Sequence, residues 1–144
     1  MDLEKNIAFN IPTYKDSDGY KYWVPLLEYF LAKANKIEIH CWNDEVETIK
    51  ELTALHNGVL QVVIQDNLTI FTGNKTRGLT DYLLNNYTDK NEKIKWFTIN
   101  VNQDEDSVIH SGHWGSEFFV PNVLEEEIEL IKSLTPPDTI FHHF

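Results

Sequence analysis

Trp23, Leu26, Leu27, Phe30, Leu31 and Ala34 recur at the three- and four-residue spacing of one helical face, the strongest amphipathic pattern in the chain. Pro25 limits where this helix begins. Proline lacks an N–H and is tolerated only in a first turn, so a helix from near Tyr22 to about Ala34 is predicted. Ahead of it, Ile7 and Phe9 alternate with Ala8 and Asn10 before Pro12, a short strand, and the polar residues 13–19 read as a loop. After it, Ile37, Ile39 and Cys41 fall on one face of a strand and Glu38, His40 and Trp42 on the other.

Asp44 with Glu47 three residues on reads as a capping box that opens a helix to about His56, with Val46, Ile49 and Leu52 inward and Asn57-Gly58 closing it. Val59 to Ile64 and Leu68 to Thr72 flank Gln65-Asp66-Asn67 as a hairpin. A shorter helix covers about Leu79 to Tyr87. Lys93 to Val101 alternates with apolar residues on both faces and predicts a long strand. Asp104-Glu105-Asp106 is then a turn into a strand around Val108 and Ile109, and a brief strand at Phe118 to Val120 follows the glycine-punctuated HSGHWGSE. Asn122 with Glu125 reads as a second capping box; Leu124, Ile128 and Ile131 line a final helix ending near Leu134, before Pro136-Pro137.

The resulting order, β-α-β-α-β-β-α-β-β-β-α, mixes hairpins with helical crossovers. It predicts one α+β domain: a mixed or largely antiparallel sheet of about six or seven strands with about four helices packed on it. A chain of 144 residues is the size of one domain and buries enough surface to need no staple.

The charge is unevenly spread along the chain. Residues 101–144 hold nine acids against Lys132 alone, so they carry −8 of the total −11. Such a field repels nucleic acid and anionic lipid and draws cationic partners. Arg77 is the single arginine, and the bases interleaved with aromatics at Lys93, Lys95, Trp96 and Phe97 are too few to track a nucleic-acid backbone. One cysteine, Cys41, rules out an internal disulfide; with no apolar leader and no long apolar run, a cytoplasmic protein is expected.

Catalytic patterns are missing. GNKTRG at 73–78 does not follow the phosphate-loop spacing, because Leu79 stands after the second glycine. His40 and Cys41 are neighbours on a strand and point to opposite faces, so they cannot act as a nucleophile and its base. His110, His113, Glu117 and the His142-His143 pair are residue types that suit zinc or iron, and would serve a metal-dependent hydrolase; their spacing matches no metal motif, and no cofactor or metal is expected. The apolar end Ile140-Phe141-His142-His143-Phe144 offers a third reading, a scaffold that docks on another copy.

Glu125, Glu126 and Glu127 fall in a helix first turn, where negative charge is stabilising by about 0.3–1 kcal/mol each. Asp104 to Asp106, Glu117 and Glu129 lie outside that first turn and gain nothing from it. A small acidic α+β domain without a catalytic motif, carrying Asp104-Glu105-Asp106 and His113-Trp114 with Glu117, resembles the immunity proteins of bacterial toxin–immunity pairs. The resemblance implies a protein that binds the effector domain of a toxin, often a basic nuclease, and blocks its active site or substrate groove. The expected interface has Trp114 and His113 as anchor, and Asp104, Glu105, Asp106, Glu117, Glu126 and Glu129 as its charged rim.

Overall fold

A computed structural model describes residues 5–12, 20–55 and 60–143. The expected loop at 13–19, His56, the Asn57-Gly58 cap and Phe144 lie outside the described residues. Among those described, four helices and eight strands follow in the order β1 (Lys5–Asn10), α1 (Trp23–Leu31), β2 (Lys36–Trp42), α2 (Val46–Leu55), β3 (Gln61–Gln65), β4 (Leu68–Asn74), α3 (Arg77–Asn85), β5 (Thr98–Gln103), β6 (Asp106–Gly112), β7 (Glu117–Val123), α4 (Glu125–Leu134) and β8 (Ile140–His143). The strands form one sheet, β3-β4-β2-β5-β6-β7-β1-β8, antiparallel at every pairing. The α+β class holds and the sheet has more strands than expected. No described helix is long and apolar enough to cross a membrane.

Alternation decides which face the helices cover. Ile37, Ile39 and Cys41 of β2, Ile99 and Val101 of β5, Phe71 of β4 and Ile109 of β6 share one core with Trp23, Leu26, Leu27, Phe30, Leu52, Leu79, Leu83, Ile128 and Ile131 from the helices. Residues on the other face, such as Glu38, His40, Asn100 and His110, are half-buried. α1 starts one residue after Tyr22 with Pro25 in its first turn, as predicted. Its α-helical part stops at Leu31, because Lys33 N–H donates to Phe30 O and Ala34 N–H to Leu31 O, tightening the end into three-residue turns.

Several boundaries depart from the pattern. The cap of α2 moves on by one residue: Trp42 N–H donates to the Glu45 carboxylate at 2.8 Å, and Glu45, not Asp44, closes the turn out of β2. Val46 is therefore exposed, while Leu52 is fully buried. The expected strand from Lys93 begins only at Thr98. Asp89 accepts from the N–H groups of Asn91 and Lys93, and Ile94 and Trp96 press into the core against Trp23 and Tyr82, so their alternation reports a buried loop. The cap of α4 falls at Leu124, whose N–H donates to Glu127 at 3.0 Å, and not at Asn122, which belongs to β7.

Glu127 is nearly buried and ion-pairs with Lys33, in the turn that follows α1, with the Tyr29 hydroxyl of α1 donating at 2.9 Å. Burial raises its carboxyl, but hydrogen bonds from Lys33, the Leu124 N–H and Tyr29 together outweigh burial and hold it below the usual range. The eighth strand is the C-terminal one. β8 pairs with β1, and Phe141 packs on Phe9 with ring centroids 5.5 Å apart. Ile140 to His143, the segment expected to dock on another copy, pairs within the chain on one side and forms the end of the sheet on the other.

Candidate partner-binding site

The turn between β6 and β7 is built on three successive residues with positive φ: His113 at 47°, Trp114 at 54° and Gly115 at 78°. Left-handed backbone costs a bulky L-residue about 1 kcal/mol or more, so something must hold the turn there. Gly112 O accepts from both Gly115 and Ser116 N–H, Trp114 N–H donates to Phe97 O, and the buried Tyr22 hydroxyl donates to Gly115 O at 2.6 Å. A Cβ on Gly115 would lie 2.5 Å from Ile94 Cδ1 and 3.1 Å from Trp23 Cζ3, so both the backbone angle and the space require glycine.

This scaffold presents Trp114, which remains 39% exposed, at one end of the sheet. Its indole N–H donates to Glu45 Oε2 at 3.1 Å, and its ring meets Phe97 edge-on at 4.8 Å. Phe97 also touches Trp42 and His113, at 5.0 and 5.6 Å between centroids. Concave spaces open on both sides of Trp114. A cavity of about 350 Å³ lies between it, Tyr20, Tyr22, Glu45, Asp89 and Lys93. A cleft of about 570 Å³ lies between it, Trp42, Asn43, Asp44, Glu45 and Asn67. Asp44, Glu45, Glu47 and Asp89 continue into a third hollow, where Lys90 sits 3.6 Å from Glu47.

The residues singled out in the sequence divide into two groups. His113, Trp114 and Glu117 come together, with His113 Nε2 3.5 Å from Glu117 Oε2. Asp104, Glu105 and Asp106 lie at the opposite end of β6, a strand of seven residues and so roughly 20 Å long. Asp104 is a turn residue there: its carboxylate accepts from the Asn35 amide at 2.9 Å and its N–H donates to Asn35 Oδ1 at 2.7 Å. β7 runs back toward that end, and α4 follows it with Glu126 and Glu129 exposed. One contiguous rim around Trp114 is therefore not formed. The acids beside Trp114 come instead from the start of α2 and from Asp89, none of which the local sequence had marked as site residues.

The helix-free face of the sheet carries a second polar group. His40 Nε2 lies 2.6 Å from Glu38 Oε1, the Asn100 amide donates to the same oxygen at 3.1 Å, and His110 Nδ1 lies 2.6 Å from Asn100 Oδ1. With Asn100 Oδ1 as acceptor, Nδ1 of His110 carries the proton. Burial foremost, and the charge of His40, push the His110 imidazole below its ordinary value, against a smaller pull from Glu117. His142 shares this row of the sheet but stands on β8, with β7 and β1 between it and His110. Among the described residues no three His, Cys, Asp or Glu side chains converge as a metal site.

No protein-family model, curated protein or solved structure matches the chain.

Proposed function

We propose that this chain is a non-enzymatic binding protein that neutralises a basic protein partner, in the manner of an immunity protein acting on a toxin effector domain, and that it does so through the Trp114 end of the sheet. The observation that carries the reading is the presentation of Trp114: a large apolar ring left half in water, on strained backbone, between two concave spaces lined with carboxylates. A lysine or arginine side chain entering the 350 Å³ cavity would meet the aromatic side chains of Tyr20 and Trp114 and the carboxylates of Glu45 and Asp89, with the like-charged Lys93 also on its wall. Tryptophan at the centre with charge around it is the usual layout of an interaction hot spot.

The acids at the other end, Asp104 to Asp106 with Glu126 and Glu129, then act at a distance. Their field accelerates encounter with a basic protein and adds little to the bound state. The reading includes a cytoplasmic location, which the single, free and buried Cys41 supports.

The test begins with affinity capture from the cells that make the protein, washed at low and high salt, followed by binding kinetics with the basic protein retained. Trp114→Ala should weaken affinity at least tenfold, while reversal of Glu105 and Asp106 to lysine should slow association at low salt and leave dissociation unchanged. Equal affinity for Trp114→Ala and the parent would remove the proposal.

A further inference from the structure

We propose that two copies of this chain join along β3, in an antiparallel pairing about a twofold axis at Val63, to make one continuous sheet. Among the described residues β3 is an edge of the sheet, bonded to β4 on one side only. Natural edges are usually blunted by lysine, proline, a bulge or covering chain. Gln61-Val62-Val63-Ile64-Gln65 has neither lysine nor proline, and its register against β4 is unbroken. All five residues are exposed; Val62, Val63 and Ile64 are left 51, 55 and 71% accessible, on both faces of the strand.

What selects a second copy as the occupant is the order of those residues and their charge. The segment reads almost the same in both directions. Antiparallel pairing about Val63 sets Gln61 opposite Gln65, Val62 opposite Ile64 and Val63 opposite Val63, so each apolar β-branched residue meets another and each amide meets an amide. Two chains of charge −11 repel, so self-association needs a surface without acids at the contact. β3 is such a surface, and the same register puts Asp66 opposite Leu60 rather than opposite another acid. The other edge, β8, is less suited: it carries His142 and His143, and its Phe141 is already turned onto Phe9. The twofold axis reverses strand direction, so the two Trp114 ends would face opposite ways. The pairing does not depend on what Trp114 binds.

Sedimentation velocity of the full chain over a wide concentration range should show a mass rising toward twice 16.8 kDa, and Val63→Lys or Ile64→Lys should hold it at the single-chain mass with an unchanged circular dichroism spectrum. Val63→Cys gives a second readout. Opposed residues in an antiparallel pair lie about 4.5–5.5 Å apart at Cα, within reach of a disulfide, whereas the buried Cys41 does not compete. Mild oxidation should link two chains through position 63, and Ile140→Cys on the opposite edge should give no such link. A single-chain mass at every concentration, or a dimer that crosslinks through position 140 and not 63, would overturn the proposal.

Discussion

Replacing Gly115 by alanine tests the turn that carries Trp114. The new Cβ would sit 2.5 Å from Ile94 Cδ1, 3.3 Å from Ile94 Cγ2 and 3.1 Å from Trp23 Cζ3. Ile94 and Trp23 are both buried in the core, so neither can swing into solvent. Overpacking of this kind costs about 1–3 kcal/mol, and an alanine held at a φ of +78° adds about 1 kcal/mol, for an expected loss of roughly 2–4 kcal/mol. With a urea dependence near 2 kcal/mol per molar, the unfolding midpoint should fall by about 1–2 M. Gly78→Ala is the matched control. Nothing lies within 4 Å of a Cβ there, and the residue sits in α3, so that variant should gain up to about 1 kcal/mol from helix propensity. Equilibrium urea unfolding followed by tryptophan fluorescence reads both. A Gly115→Ala loss under about 0.5 kcal/mol, or equal shifts for the two variants, would show that Ile94 is not pressed beneath this turn.

Two further outcomes follow from the buried groups. The Glu127 carboxyl is held below its ordinary value in the folded chain, so its contribution is present above the unfolded value near pH 4.3 and is lost as pH falls through the folded one; Glu127→Gln should flatten the acid limb of a stability–pH curve, and an unchanged limb would refute the pairing with Lys33. Burial first, and then the charge of Glu45, push the Cys41 thiol up to about 12, so a thiol reagent at neutral pH should label native protein only as fast as the chain opens; rapid labelling without denaturant would contradict the buried position.

The fold was legible wherever one face of an element is buried along its whole length. α1 could be placed because its apolar stripe is long and Pro25 fixes its start, and β2 because its alternation matches the one-sided sheet. The segment from Lys93 to Phe97 misleads because a loop pressed between helices and sheet can alternate as a strand does; what sets it apart, the Asp89 turn and the stacking of Trp23 on Trp96, is tertiary. β8 is four residues after two prolines, too short for a period to register, and its partner β1 lies at the other end of the chain. Glu127 looked like one of three acids at a helix start. Its role depends on Lys33, 94 residues earlier.

The site was half legible for the same reason. His113, Trp114 and Glu117 stand close in sequence and meet in space, so composition and the glycines around them sufficed. Glu45 is 69 residues from Trp114, and no local pattern joins them. Conversely, Asp104 to Asp106 lie only seven to nine residues from His113, yet β6 carries them to opposite ends of the sheet, because an extended strand covers distance fastest.

Amide hydrogen exchange of the chain alone and in complex with the basic protein it captures locates the binding surface directly. Binding at the Trp114 end would give new protection at Trp42 to Glu47 and at His113 to Glu117, with Asp104 to Asp106 unchanged. Protection confined to Asp104 to Asp106 and the first turn of α4 would contradict it and move the binding surface to the opposite end of the sheet.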